Sequence, residues 1–533
     1  MPPAAMHHPA PHRGATSAIE LLVGPGVPES PLAPAAQRAF RAGLRAFARD
    51  DARGARRYWQ DAARLAPHAP EVAAALGIAA ARTGDADAAR AALREATRLA
   101  PDALALWRLR ADTALLAGAN SDAFEAFLEL VRRAPDDAEA LGNLGALYRE
   151  AGEPLMALKA LNRALSLDPS SARTLSNTAL AFHDLGEFAM AREAAAAAVA
   201  RDPAYGNAHW NLALMDLLHA DFVRGWAGHE QRESVRVLEQ TTRRYGAPRW
   251  DGQPLDGTLF LWPEQGLGDQ LQFVRFVPDV LDRLGPTGRL VVATPTPLVA
   301  LFRAALPDTV TVLAADAEPP AFAAHAPLMS LPFVLGLAGR VRGDAVPYLH
   351  PVGVVPDALD AVLPEDGDER LRIGFVWAGQ PKHLNDRNRS TTLETIAPLF
   401  DLPGVDAYSL QKGVGEDRIA PFNAQRAQEG RPGITPLGHL LGDFTHTAHA
   451  VARLDLVITV DTSIAHLAGA MGRAVWLLIP FVPDWRWQLA RADSPWYPSA
   501  RLFRQEARGA WGPVIARVAH AITSRTVAGR RAA

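Results

Sequence analysis

Through the first half of the chain, small apolar residues recur at a fixed interval. Ala89, Ala123, Ala157 and Ala191 are 34 residues apart, each where two helices of a unit would touch. Gly84, Gly118, Gly152 and Gly186 keep the same interval, each 17 residues after one of the equally spaced prolines Pro67, Pro101, Pro135 and Pro169, with Pro203 next in the series. The pattern predicts one helical hairpin per interval. Helix A turns into helix B at the glycine, and the proline sits just past helix B, where its fixed φ and missing N–H end the helix at little cost. A single hairpin cannot bury its own apolar face, so neighbours stack into a superhelix with a concave inner surface. Units fall at 36–69, 70–103, 104–137, 138–171 and 172–205, with a degenerate sixth from 206 to about 239; the first keeps Gly43 and Ala55 in register.

After Pro248 the pattern changes to short apolar runs between helical stretches. Thr258–Trp262, Arg289–Ala293 and Thr309–Leu313 read as one set of strands, and Leu371–Trp377, Val405–Leu410, Leu456–Val460 and Ala474–Pro480 as another. Buried, β-branched strands alternating with helices predict parallel α/β sheets. A charged, proline-bearing stretch, His350 to Arg370, separates the sets. The predicted organisation is a leader at 1–34, an α solenoid at 35–240, a first Rossmann-like lobe at 246–350, a second at 370–525 and a tail at 526–533. Ligands of such sheets bind outside the carboxyl ends of the strands.

An interval of 34 residues is the length of a tetratricopeptide unit. Within that frame Asn143, Asn177 and Asn211 recur on helix A, eight residues after successive prolines. A ladder of side-chain amides, each donor and acceptor, suits an extended peptide backbone in the groove. Asparagine is equally well tolerated as a plain scaffold residue in such repeats. Ala75 and Leu109 hold the position in earlier units, so the ladder is short.

Composition narrows the classes. The chain has 533 residues, 49% of them hydrophobic and 21% charged, enough for a repeat array and globular lobes with a large core. A net charge of -3 gives no global attraction to nucleic acid or anionic membrane. With no cysteine, thiolate nucleophiles, disulfides and Cys-based zinc sites are excluded. The leader lacks a basic start followed by an apolar core, and the most apolar later stretch, Leu454 to Val482, is broken by Asp455, Asp461, His466 and Arg473. The expectation is a cytoplasmic protein with no membrane span, no metal and no cofactor.

Three segments carry candidate chemistry. A strand runs into Glu264-Gln265-Gly266-Leu267-Gly268-Asp269, where Gly266 and Gly268 permit a tight turn and Asp269 stands at a helix start, as general base or as helix cap. A second strand leads to Gly379 and a loop with Lys382, His383, Arg387 and Arg389; glycine beside several cations suits a pyrophosphate, or a solvated loop. The third ends in Asp461-Thr462-Ser463, opening a helix that presents His466, which alone reads as a packed core histidine. Gln411 and Lys412, after another strand, are candidates for the nucleotide base or phosphates. Trp485, Trp487 and Trp496 would wall a pocket or pack the closing helix. The loop EQGLGDQ is not G-x-G-x-x-G, which argues against a dinucleotide-dependent oxidoreductase.

The third segment resembles the D-[ST]-G-x-x-H-[LI]-A motif of the lipopolysaccharide heptosyltransferases, with Asp461, Thr462 and His466 matching and Ser463 in place of glycine. The resemblance implies a GT-B glycosyltransferase whose second lobe holds a nucleotide sugar. Asp269 then corresponds to the proposed base, and Arg389 lies about where that family has a phosphate-binding lysine. Repeats followed by such lobes also resemble the O-linked N-acetylglucosamine transferases, whose asparagine ladder holds protein substrates. The implied activity is inverting, metal-independent transfer from a nucleotide sugar to a hydroxyl of a protein or glycan in the repeat groove. The alternative is a repeat scaffold or sensor with a degenerate transferase module. The first lobe is short for the fold.

Overall fold

The computed structural model describes residues 31–532 apart from 236–244, 338–344, 366–369, 382 and 384. Two compact units divide at Ala208/His209.

The first unit is built of antiparallel helix pairs: α1 (Pro34–Phe47) with α2 (Ala52–Leu65), α3 (Pro70–Arg82) with α4 (Ala86–Leu99), α5 (Leu104–Leu116) with α6 (Asn120–Arg133), α7 (Ala138–Glu150) with α8 (Pro154–Leu167), and α9 (Ala172–Leu185) with α10 (Phe188–Arg201). The periodic alanines Ala89, Ala123, Ala157 and Ala191 are buried at the helix contacts, as the pattern predicts. Caps fix the start of several helices: Asp51, Asp85, Asp137 and Ser171 each accept a backbone N–H three residues on.

A sixth hairpin, α11 (Gly206–Leu218) and α12 (Phe222–His229), follows. The turn within each hairpin needs a left-handed residue: Gly84, Gly118, Gly152 and Gly186 have φ of 79, 69, 86 and 83°. The same register places Asp50 and Ala220 in the first and sixth turns, with φ of 63 and 62°. Both outer turns therefore keep the conformation without the residue that adopts it most cheaply.

The second unit holds two parallel sheets. In the first, β1 (Gly257–Trp262), β2 (Gly288–Thr294), β3 (Val310–Ala314) and β4 (Ala324–Pro327) lie in the order β3-β2-β1-β4. In the second, β5 (Leu371–Val376), β6 (Val405–Ser409), β7 (Thr435–Pro436), β8 (Leu456–Val460), β9 (Val475–Ile479) and β10 (Ala500–Arg504) lie in the order β10-β9-β8-β5-β6-β7. The near-continuous apolar runs of β1, β8 and β9 explain their central places, since each is covered on both faces. Strands β4, β7 and β10 add to the predicted sets; the first two are too short to register as periodic runs.

Each sheet reverses direction once. In the first the chain moves outward from β1 to β2 and β3, then returns to place β4 on the other side of β1. In the second it moves from β5 to β6 and β7, then returns to β8, β9 and β10. Such reversals leave a crevice at the carboxyl ends of the strands that flank them. The crevices lie between β1 and β4 and between β5 and β8. Helix α13 (Leu267–Phe273), which follows β1, packs on α14 (Ser463–Ala470), which follows β8, so the two crevices meet.

Among the described residues no helix is long and apolar enough to cross a membrane.

Candidate functional site

The loop after β1 is held in an unusual shape. Gln265 has φ of 58°, a left-handed conformation that a side chain beyond Cβ rarely adopts. Gln270 steadies the turn from below by donating its amide to the Glu264 carbonyl at 2.5 Å. Glu264 is itself buried and accepts from Arg232 at 2.8 Å, and Arg232 also donates to Ser330 at 2.6 Å and to Glu230 at 2.7 Å. Burial opposes the charge on Arg232, but Glu264 and Glu230 outweigh it and hold its pKa above the ordinary arginine value. Ser330 follows β4, so this network closes the first crevice from within.

Asp269 stands one turn further on. Its Oδ2 accepts the Gly266 N–H at 2.7 Å, a capping contact from the third helical position back to the N-cap residue Gly266, and its Oδ1 accepts from Arg486. Burial raises its pKa, outweighing the attraction of Arg486 and the Gly266 N–H. The capping contact expected of Asp269 is thus present. Gly268 has a different reason to be glycine. A Cβ there would come within 2.8 Å of the His466 ring and 3.6 Å of Ser463 Cα, so its absence lets α13 and α14 touch.

His466 is packed, as its sequence context alone suggested. It is buried, stacks on Trp487 with ring centroids 5.5 Å apart, and its Nδ1 meets the Tyr497 hydroxyl at 2.8 Å. Burial, reinforced by Arg486, holds its pKa well below 6.5. At the start of α14, Thr462 meets Thr459 at 3.0 Å through their hydroxyls and places no side-chain cap on the helix. Ser463 is the first helical residue.

Across the second crevice, Arg389 donates from Nη1 to the Asp461 carbonyl at 2.8 Å and from Nε to Asp386 at 3.2 Å. Its guanidinium rests where a Cβ on Gly379 would lie, 2.3 Å away, so Gly379 is the residue that admits Arg389 to the strand ends. Burial and then Asp484 raise the pKa of the Asp461 carboxyl, against the attraction of Arg389 and Arg486.

The structure thus gathers Gly266, Gly268, Asp269, Gly379, Arg389, Asp461, Thr462, Ser463 and His466 about the meeting crevices. Other expected residues are engaged elsewhere. Gln411 is buried with its amide fully used: Oε1 accepts from the Trp377 and Ala378 N–H groups, each at 3.1 Å, while Nε2 donates to the carbonyls of Ala378 and Val414. It braces the loop after β5, in place of a contact to a base or phosphate. Lys412 is exposed and donates to the Leu441 carbonyl. Arg387 is exposed on the helical turn that carries Arg389, and Lys382 lies outside the described residues. Asn143, Asn177 and Asn211 lie on α7, α9 and α11, and all three are buried. Trp485, Trp487 and Trp496 are likewise buried; Trp485 and Trp496 pack edge-on against Trp226 of α12.

Two site residues escaped the sequence reading. Arg486 follows β9 and is 7% exposed, donating to Asp269, to Asp484 at 3.0 Å and to Gln272 at 2.6 Å, with its guanidinium 4.2 Å from the centre of the Trp485 ring. Asp484 is pushed up by burial, but Arg486 overcomes this and holds it well below the usual carboxylate range. The signal was an Asp-x-Arg pair inside an apolar, tryptophan-rich stretch, where buried charge is costly unless it is paired. Just beyond it Gln488, like Gln265, is a non-glycine residue with positive φ, 53°. Backbone strain therefore flanks the cluster on both lobes, a placement common at functional sites.

Among the described residues no group of three or more histidines and carboxylates has metal-ligand geometry.

Tetratricopeptide-repeat family models match residues 40–103, 74–138 and 138–171, so the chain contains repeats of that family. Protein FlbA of Caulobacter vibrioides is 29% identical over 335 residues, covering 58% of this chain and 55% of FlbA. The chain thus spans about half the length of that curated relative. Among solved structures, the MamA protein is 19% identical, with a TM-score of 0.30 over 32% of this chain and 92% of MamA. A tetratricopeptide repeat protein from Parabacteroides merdae is 16% identical, with a TM-score of 0.35 over 38% of this chain and 80% of that one.

Proposed function

We propose that the chain is a glycosyltransferase of GT-B type, which moves a sugar from a nucleotide-sugar donor to a hydroxyl of a protein or glycan chosen by the repeats. The observation that carries this reading is the convergence of Asp269, Arg389 and Asp461 at the reversal points of the two sheets, with Arg486 reaching Asp269 from the segment after β9. Arg389 and the uncapped start of α14, with Thr462 and Ser463, offer cation and backbone donors to a diphosphate.

In the proposed inverting step, the acceptor oxygen forms a bond to the anomeric carbon and gives its proton to Asp269. The bond from the anomeric carbon to the phosphate oxygen breaks, and its electron pair leaves with the nucleoside diphosphate. Fixed cations meet the charge that develops there, which is where preorganised groups contribute most to rate. The raised pKa of Asp269 suits a base, since proton transfer is most effective when the pKa nears the working pH.

The double engagement of Asp269 by Gly266 and Arg486 favours a second reading, a repeat scaffold whose lobes sense a nucleotide sugar without turning it over. Titration calorimetry of the full chain against UDP-, GDP-, ADP- and CMP-sugars, with product analysis, separates the two. Binding with transfer or hydrolysis supports the enzyme. Binding without either supports the sensor, and the absence of binding to any donor removes both.

A further inference from the structure

Arg486 occupies a position that the proposed mechanism leaves unexplained. Its Nη2 holds Oδ1 of Asp269, its Nη1 holds Asp484 at 3.0 Å, and its Nε holds Gln272 at 2.6 Å. With Gly266 on the other oxygen, Asp269 is engaged on both sides in the unliganded chain. A carboxylate clamped by a guanidinium is a weaker base than the same group freed from it, because the cation stabilises the charged form.

One arginine here serves two carboxylates, and a third, Asp461, lies within its field. Gln272 adds a second observation. It is fully buried, its Oε1 is taken by Arg486, and its Nε2 has no hydrogen-bond partner. A buried amide donor without a partner is rare, and beside a cation it offers a ready contact to an anionic oxygen.

We infer that Arg486 is the residue that receives the diphosphate of the donor, and that in doing so it releases Asp269, so that donor binding is what switches the base on. The inference rests on the glycosyltransferase reading. Phosphate oxygens compete well for a guanidinium because they match its fork and carry more charge than one carboxylate. Asp484 keeps its hold on the far edge of the guanidinium, which limits the movement to the Asp269 side. The arrangement orders the reaction: an acceptor hydroxyl arriving before the donor meets a base that is still clamped.

The test uses the full chain with Arg486→Met and Arg486→Lys, and as probes the nucleotide sugar that the unmodified chain turns over and its nucleoside diphosphate. Loss of a charge-assisted contact predicts that Arg486→Met weakens the nucleoside diphosphate about tenfold or more, with partial recovery in Arg486→Lys. The affinity for the uncharged nucleoside stays the same.

The pH profile reads the release. In the free protein, removing the cation raises the pKa of Asp269, so the acid limb of kcat/KM for the donor moves to higher pH in Arg486→Met. Once donor is bound the base is already free, so the acid limb of kcat moves less. A merely structural arginine would not split the two limbs. Unchanged diphosphate affinity in either variant, or limbs that move together, overturns the inference while leaving the transferase reading intact. If the unmodified chain binds and turns over no donor, the transferase reading fails and this inference with it. Arg486→Lys keeps the charge, so it decides the matter if Arg486→Met does not fold.

Discussion

The turn glycines of the repeats and the glycines around the site do different work. In the repeats, Gly84 and Gly118 have left-handed φ, and a Cβ added at either would meet nothing within 4 Å. They are there for their backbone alone. In the two-sheet unit, Gly268, Gly379 and Gly469 do not have left-handed φ, and an added Cβ would strike His466 at 2.8 Å, Arg389 at 2.3 Å and Tyr497 at 2.4 Å. They are there for what lies against them. The repeats are specified by local rules that recur, whereas the site depends on close approaches between segments far apart in sequence.

The largest expected effect comes from removing a long-range partner. Arg232 ties α12 and its continuation to Glu264, beside the strained loop, and to Ser330. Arg232→Met leaves Glu264 buried and unpaired, which costs about 3–5 kcal/mol by urea denaturation. A loss below about 1 kcal/mol would show that the loop does not depend on the Arg232–Glu264 pair.

Gly469→Ala probes close approach directly. Its Cβ would press on the ring of Tyr497, whose hydroxyl holds His466, and overpacking of this kind costs about 1–3 kcal/mol. Activity should fall with stability, since His466 contacts Gly268. Equal stability in the variant would show that the aromatic cluster yields without cost.

Acidification should weaken both units. His183 in the repeats, and His229 and His466 in the two-sheet unit, have pKa values lowered below 6.5, in each case first by burial. The folded chain keeps them neutral while the unfolded chain takes up protons below 6.5. Their contribution is therefore complete above that pH and declines as the pH falls. Each such histidine removes up to about 1.4 kcal/mol per pH unit below 6.5, until its folded pKa is reached. Thermal melts at pH 7.5 and 5.5 test this; His183→Gln should flatten the repeat contribution if the account holds.

The smallest effects belong to the turns. Ala220→Gly replaces a strained left-handed residue and should stabilise by about 1 kcal/mol, with Asp50→Gly gaining less because aspartate tolerates that conformation better. Gly118→Ala should lose about 1–2 kcal/mol from backbone strain alone. A larger loss, in a site with nothing within 4 Å of the new Cβ, would contradict the backbone explanation.

The comparison also explains what could be read before the structure. The hairpins, their turns and the central strands follow from period and apolar runs, because each is fixed by residues close in sequence. Gly266, Asp269, Arg389 and Asp461 were visible as residues of the right type at strand ends. Their partners were not: Arg486 reaches Asp269 from 217 residues away, and no local pattern marks such a pair. Gln411 shows the converse. Its place after a strand suggested a ligand contact, but the loop after β5 needed all of its hydrogen-bonding capacity.

The central claim is that Asp269 is the group that takes the acceptor proton, and Asp269→Asn tests it most directly. Asparagine keeps an oxygen for the Gly266 N–H, so the loop retains its cap while the base is lost. The account predicts transfer from the nucleotide sugar reduced by about 10²-fold or more, with donor affinity by calorimetry equal to or tighter than that of the unmodified chain. Transfer at the unmodified rate would contradict it and return Asp269 to the role of a helix cap.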